Sequence, residues 1–191
     1  MGAVIVMAML SSAGPEFSAD AYTYFQSGEK PYVQPNFEID SGWLHVEVRH
    51  NYEALGAVSL WLGTGLSGGK KRTWSFIFMV GGVVGEDSGI APGFELEVGW
   101  WRLDLFSQSE FVITLNRAEN SFFYNWSELG FSPVDPFRIG AALQRTFVHH
   151  DKRRDLQPGI FAGLRGFGVT LTAYVFDLRD PTVVLAIGVG Q

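Results

Sequence analysis

The segment LHVEVRHNY, residues 44–52, alternates without a break between two kinds of side chain. One parity is mostly apolar and the other is polar: Leu44, Val46, Val48, His50 and Tyr52 against His45, Glu47, Arg49 and Asn51. Alternation with a period of two predicts a β-strand with one apolar and one polar face. The pattern fits a soluble sheet packed on a core and also a membrane barrel facing lipid, so the surroundings of the apolar face decide the fold.

The composition favours the membrane. Charged residues make up 18% of the 191-residue chain, against roughly 25% in ordinary soluble domains. No continuous apolar run approaches the about 20 residues of a transmembrane helix, so a helical membrane protein is excluded. The formal net charge of -6 argues against nucleic acid as a partner. The chain has no cysteine, which excludes disulfides and thiolate metal sites.

The chain divides into about twelve strand-like segments separated by turn residues, and no segment has helical periodicity. The expected strands are 20–26, 32–40, 43–52, 56–67, 72–84, 90–99, 101–114, 121–133, 137–149, 157–164, 167–177 and 182–190. Ten strands are the alternative, because 20–26 is a weak strand and FEIDSGW, residues 37–43, could be one bent strand. An even number of strands places both termini at the same rim.

Short and long connections alternate along the chain. The short ones are 40–42, 67–71, 99–101, 133–136 and 164–166; the longer, more polar ones are 85–93, 115–120, 149–159 and 177–181, with 51–56 intermediate. Short turns at one rim and longer loops at the other are typical of an up-and-down outer-membrane barrel. The sequence therefore predicts an all-β, antiparallel transmembrane β-barrel.

Aromatic residues are expected at both membrane interfaces, where ring bodies and polar edges match the headgroup region. Beside the short turns these residues are Trp43, Trp74, Trp100, Trp101, Phe137 and Phe167, and near the longer loops they are Tyr52, Phe147 and Phe176.

Between these two groups of aromatic residues, one parity of each strand is aliphatic and the other is charged or polar. Leu60, Leu96, Leu143 and Leu171 represent the apolar parity, which we expect to face lipid. The other parity predicts a polar lumen and solute pathway formed by Glu38, His45, Glu47, Arg49, Glu95, Glu97, Arg102, Asp104, Glu110, Arg138 and Gln144.

The sequence resembles bacterial outer-membrane β-barrel proteins of the porin-like kind over residues 20–191. The resemblance rests on the alternating segments WLHVEVRHNY, PGFELEVGWWRLDLFSQSEF and SFFYNWSELGFSPVDPFRIGAALQRT. It implies location in a Gram-negative outer membrane, contact with lipid, and recognition of the last strand, TVVLAIGVGQ (182–191), by the barrel-assembly machinery. Such barrels commonly end in an aromatic residue, whereas this sequence ends in Gln191.

The N-terminal segment is read as an export signal. GAVIVMAML, residues 2–10, is apolar and is followed by small residues, so a signal peptide is predicted over 1–19, with Ala13 or Ala19 preceding the cleavage point. The barrel domain then covers 20–191. A short buried strand or helix is the alternative for this segment.

Three short motifs resemble enzyme signatures but lack the required surroundings. GTGLSG (63–68) fits a dinucleotide loop, yet a strand follows where a helix is needed. GLSGG (65–69) makes Ser67 a formal nucleophile, but a hairpin turn explains it better. HHD (149–151) starts a polar loop. We therefore assign no catalytic residue, metal or cofactor.

The sequence leaves several functions open. We favour a narrow channel for passive passage of small polar solutes or ions, with a mild preference for cations because acidic residues outnumber arginines on the lumen parity. The main alternative is a closed structural or binding barrel with a plugged polar interior. A membrane-embedded barrel hydrolase and a soluble lipocalin-like binder are less favoured.

Overall fold

A computed structural model describes residues 14–148 and 153–190. They form one closed antiparallel sheet of twelve strands, which confirms the predicted barrel and its larger strand number. The strands are β1 (Glu16–Phe25), β2 (Tyr32–Ser41), β3 (Leu44–His50), β4 (Val58–Gly68), β5 (Arg72–Val84), β6 (Gly89–Trp100), β7 (Leu103–Thr114), β8 (Phe122–Phe131), β9 (Phe137–Val148), β10 (Arg153–Gly166), β11 (Val169–Phe176) and β12 (Thr182–Gly190). A 3₁₀ turn, Ala118–Asn120, precedes β8.

Each strand pairs with its sequence neighbours, and β1 pairs with β12 to close the barrel. In this closing ladder Ser18 lies opposite Gly190 and Phe25 lies opposite Val183. Closure gives every strand two hydrogen-bonded neighbours, so no strand edge is left to be satisfied by solvent. Within the described residues, no helix is long and apolar enough to cross a membrane.

The connections sort to two rims as the sequence predicts. The short-turn rim carries residues 42–43, 69–71, 101–102, 132–136 and 167–168, and the chain enters β1 and leaves β12 there. The long-loop rim carries 26–31, 51–57, 85–88, 115–121 and 177–181. Residues 149–152, between β9 and β10 in the sequence, lie outside the described residues. In barrels of this architecture the longer loops face the cell exterior.

The first strand begins earlier than the sequence suggests. β1 starts at Glu16, and residues 16–19 pair with residues 37–40 of β2, so the expected domain boundary at residue 19 lies inside a strand. Residues 1–13 lie outside the described part of the chain, and the signal peptide stays a prediction. Cleavage after Ala13 would leave β1 whole, whereas cleavage after Ala19 would remove its first four residues.

The outer face of the barrel is an apolar belt. Leu60 and Leu62 of β4, Phe78 of β5, Leu129 of β8 and Leu185 of β12 are about half exposed on this face. In the opening segment, Leu44 and Val48 are exposed whereas His45, Glu47 and Arg49 are buried. A continuous apolar surface of this kind is stable in lipid and not in water, so the apolar parity of residues 44–50 faces the bilayer.

Six of the nine expected interface aromatics are exposed beside the short-turn rim: Trp43, Trp74, Trp100, Trp101, Phe137 and Phe167. Near the long-loop rim, Phe147 is half-buried on the outward parity that it shares with Ile139.

Two of the nine lie inside the barrel, which corrects the prediction. The backbone of Asn51 adopts a positive φ of 61° directly after β3, so the alternation stops there and the Tyr52 ring turns inward, 4.7 Å from the Arg49 guanidinium. Phe176 is fully buried because it shares the inward parity of Tyr174 and packs edge-on against Trp126.

Candidate functional site

One arc of the barrel interior is organised around the buried Arg49 of β3. Its guanidinium donates to Glu47 at 2.5 Å and to Glu110 at 2.7 Å, and Glu95 lies 3.7 Å away. The cation also lies over the Trp61 ring at 4.4 Å. A buried charge persists only when it is paired and hydrogen-bonded. Two carboxylates, from β3 and β7, accept hydrogen bonds from the guanidinium, and a third, from β6, lies within ion-pair distance.

A histidine extends the same network toward the short-turn rim. His45 Nδ1 lies 2.8 Å from Asp40 Oδ1, and its Nε2 lies 3.8 Å from Glu47. All three side chains are buried. The alternation of residues 45, 47 and 49 on one strand therefore builds a continuous polar chain along the inner wall.

A second ion cluster lies close to the short-turn rim on β7, β8 and β9. Arg138 pairs with Asp104 and donates to Glu128 at 2.7 Å. Its guanidinium also lies 4.5 Å from the centre of the Phe161 ring. These contacts fix Arg138 in one orientation on the inner wall.

Aromatic rings cover the opposite arc of the interior. Trp126 packs edge-on against Tyr22 at 5.9 Å and against Tyr174 at 5.2 Å. Trp126 Nε1 and the Tyr174 hydroxyl both donate to Glu128 Oε1, at 2.9 and 2.7 Å. We call Tyr22, Trp126 and Tyr174 the aromatic wall; with the polar atoms of two of its rings bound to Glu128, it presents mainly apolar ring surface.

A cavity of about 300 Å³ lies inside the barrel between the charged arc and the aromatic wall. Seven carboxylates and two guanidinium groups line it: Asp20, Glu38, Glu47, Glu95, Glu97, Asp104 and Glu128 against Arg138 and Arg165. The volume lies at the lower end of the range of small-molecule sites, about 300–1,000 Å³. The cavity can therefore hold one small solute in strongly acidic surroundings.

The structure places all the expected lumen residues inside the barrel except Arg102. The exception is a correction: β6 extends to Trp100, and the turn to β7 consists of residues 101 and 102. Trp101 has a positive φ of 58° in this turn. The alternation of inward and outward side chains therefore starts at Leu103 and does not include Arg102. Arg102 is exposed there, donates to the Pro133 carbonyl and lies over the Trp101 ring.

Several cavity residues were not anticipated. Asp20, Asn36, Glu128 and Arg165 line the cavity together with the aromatic wall. All of them lie on the inward parity of their strands, so the same alternation could have found them. Aromatic rings and isolated charges on that parity are a weaker sequence signal of a polar lumen than two charges on one face of a strand.

A polar cluster lies on the outward parity of β7 and β8, a face that the sequence predicts to be apolar. Asn125 Nδ2 donates to Ser107 Oγ at 3.1 Å and to Ser109 Oγ at 2.9 Å, and Ser107 and Ser127 are hydrogen-bonded to each other at 2.9 Å. The His45–Asp40 pair lies on the inner side of the barrel wall. The wall therefore separates these hydroxyl groups from that histidine, so the two groups cannot form one hydrolytic site.

Comparison with known proteins agrees with the geometry. No protein-family model matches the sequence, and no curated protein matches it. Among solved structures, the chain is similar to a KdgM porin, with a TM-score of 0.61 and 9% sequence identity over 90% of this chain and 98% of that chain. A KdgM porin in complex with disordered oligogalacturonate matches with the same values.

At this identity the comparison shows a shared fold. The twelve-strand closed barrel, its apolar belt and its polar interior define the class: a membrane β-barrel with the fold of a porin.

Proposed function

We propose that the protein is a narrow outer-membrane channel for passive passage of small polar solutes or ions, with a preference for cations. The observation that carries this proposal is the cavity inside the barrel, whose wall has seven carboxylates and two guanidinium groups. An acidic wall in a low-dielectric barrel concentrates cations and repels anions.

The excess negative charge is not removed by ion pairing. Among the described residues, Asp20, Glu38 and Glu97 have no cationic nitrogen within ion-pair distance, while Arg138 is shared between Asp104 and Glu128. The oligogalacturonate named with one structural neighbour is a carboxylate-bearing oligosaccharide. The acidic cavity here disfavours such a solute, so we propose a different substrate class for this chain.

The experiment is single-channel recording in a planar bilayer with a KCl gradient across the membrane. We expect discrete current steps and a reversal potential of the sign that K⁺ selectivity produces. Glu97→Gln removes one unpaired charge from the wall and should shift the reversal potential toward zero. Glu119→Gln is the matched control, because Glu119 is exposed in the loop before β8. Anion selectivity, or equal reversal potentials for wild type and Glu97→Gln, would contradict the proposal.

A closed binding barrel is the second candidate, and the Arg49 network favours it. Arg49 is fully buried between carboxylates and rings, and the Tyr52 ring packs on it from the β3–β4 loop. These side chains fill the lumen toward the long-loop rim. Folded protein that inserts into the bilayer without any current steps would select the closed barrel over the channel.

We also propose that the protein reaches the membrane by the general export and barrel-assembly route. The apolar segment before Ala13 would supply the signal, with cleavage after Ala13 leaving β1 whole, and β12 would be the recognition strand. Closure through the β1–β12 ladder supports this, because assembly must bring the last strand to the first. Depletion of the assembly machinery should remove the protein from the outer-membrane fraction, and unchanged membrane levels would contradict this route.

A further inference from the structure

Two buried acceptor atoms at the cavity have no hydrogen-bond partner among the described residues. They are Glu47 Oε1 and Asn36 Oδ1. Glu47 is 1% exposed and Asn36 is 6% exposed. Both residues line the cavity. A buried acceptor without a donor is costly, so these two atoms favour a solute that brings N–H or O–H donors.

The charge of the wall selects among such donors. Glu47 is already bonded through Oε2 to Arg49, and Glu38 accepts a hydrogen bond from Ser18 at 3.0 Å. The remaining acceptor capacity on this arc belongs to carboxylates and one amide oxygen. An ammonium group offers three N–H donors and a positive charge, so it fits this arc better than a neutral hydroxyl group.

The aromatic wall selects the other end of the solute. Trp126 and Tyr174 are held by Glu128 and by mutual edge contacts, and they line the same cavity as Glu47 and Asn36. Fixed rings stack on planar or apolar ring faces, and they also attract cations. The cavity volume of about 300 Å³ admits one ring with a short amine-bearing arm.

We propose that the cavity binds solutes with a primary ammonium group and a ring, with the ammonium on Glu47 and Asn36 and the ring on the aromatic wall. This inference rests on the proposed channel function, because it names the solute class that the channel would admit. The primary ammonium is specified because a quaternary ammonium has no N–H for the two unpartnered acceptors.

Titration calorimetry on the folded barrel in detergent tests the binding without requiring conduction. The probes are benzylammonium, benzyltrimethylammonium and benzyl alcohol, which share a ring and differ in the donor and the charge. We expect benzylammonium to bind at least about tenfold more tightly than either analogue. Equal affinity for the three probes, or no binding of benzylammonium, would overturn the proposal.

Variants locate the site. Glu47→Gln and Trp126→Leu should each weaken benzylammonium binding about tenfold or more, whereas Glu119→Gln should leave it unchanged. Because Glu47→Gln also disturbs the Arg49 network, Asn36→Leu provides a second test that removes the acceptor without touching an ion pair. Folding of each variant is checked by its mobility on a gel before boiling. Unchanged affinity in folded Asn36→Leu and Trp126→Leu would place the ligand elsewhere and overturn the site.

The same protein in planar bilayers separates the two proposals. Benzylammonium binding without any current would leave the site standing and remove the channel. Discrete K⁺ currents without benzylammonium binding or block would leave the channel standing and remove the site.

Discussion

At the scale of single residues, Arg49 shows what a barrel interior requires of a charge. The guanidinium is fully buried, yet two carboxylates accept hydrogen bonds from it and two rings cover its faces. Glu110 is 61 positions away in the sequence, so a residue on β3 holds a residue on β7 in place. The ion cluster therefore acts as a cross-link through the lumen and helps to keep the interior narrow.

Replacing Arg49 with Met should strongly destabilise the barrel. The substitution leaves Glu47 and Glu110 buried without their cation, a change that costs about 3–5 kcal/mol. The measurement is the free energy of unfolding in urea with the protein folded into lipid vesicles. Arg179→Met is the control, because Arg179 is exposed in the β11–β12 loop. Equal loss of stability in both variants would show that the network contributes no more than a surface arginine.

The pKa of the Asp87 carboxyl group should lie below the ordinary value for aspartate. Its carboxylate accepts hydrogen bonds from Asn120 at 2.7 Å and from Arg117 at 2.5 Å; these two partners, the Asn120 amide foremost, hold the pKa of Asp87 below the usual 3.8. A lowered folded-state pKa means that the contribution to stability is complete above pH 3.8 and is lost as the pH falls through the lowered value.

The measurement is an NMR titration of the Asp87 carboxyl carbon. Asn120→Ala and Arg117→Met should each move the midpoint upward, toward 3.8. These contacts join the β5–β6 and β7–β8 loops, so both loops should stay fixed relative to each other at neutral pH. A midpoint that is the same in all three proteins would contradict this origin of the shift.

At the scale of the strand, the alternation of two faces governs what each position tolerates. Leu185 near the middle of β12 faces lipid, and Thr172 of β11 lines the cavity. Leu185 lies opposite Ala173, the residue after Thr172, so the two positions differ mainly in the face that they occupy. A shift of one residue in register would exchange every lipid-facing and lumen-facing side chain of a strand.

Leu185→Arg should therefore hinder folding into lipid by about 2–4 kcal/mol, as expected for a cation near the bilayer midplane. Thr172→Arg, which places the same side chain in the polar interior at nearly the same depth, should cost much less. The comparison uses equilibrium folding into vesicles of one lipid composition. If the two variants lose equal stability, the assignment of faces on β11 and β12 is wrong.

At the scale of the whole molecule, closure through the β1–β12 ladder decides how the protein behaves. Every strand has two neighbours, so unfolding must break a ladder along its full length before the sheet can open. The apolar belt and the acidic cavity are also products of closure, since only a closed sheet has an inner and an outer face. The channel and the solute site both depend on this geometry.

The folded protein should consequently resist detergent. Without boiling it should run on an SDS gel at a mobility different from that of the boiled protein, because the closed sheet stays compact until heat opens it. Replacing Leu185 and Ile187 of β12 with proline removes two backbone N–H groups that donate hydrogen bonds to neighbouring strands. This variant should show the same mobility with and without boiling. Identical mobility of boiled and unboiled wild-type protein would contradict a closed barrel.

The sequence by itself determined the strands, the two rims and the face of most residues. The reason is that alternation, turn residues and loop lengths are local properties of the chain. The pattern of residues 44–50 alone therefore assigned Val48 to the outer face and Glu47 to the inner face. The barrel class followed from the aliphatic parity and the low charge content.

Tertiary structure alone decided which side chains meet. The contacts of Arg49 with Glu110 and of Trp126 with Tyr22 depend on the stagger and curvature of the closed sheet, which no local pattern contains. Positive φ values at Asn51 and Trp101 ended the alternation, so Tyr52 entered the lumen and Arg102 left it. The cavity between the Arg49 network and the aromatic wall exists only because closure encloses side chains from β3, β6 and β7 together with those from β1, β8 and β11.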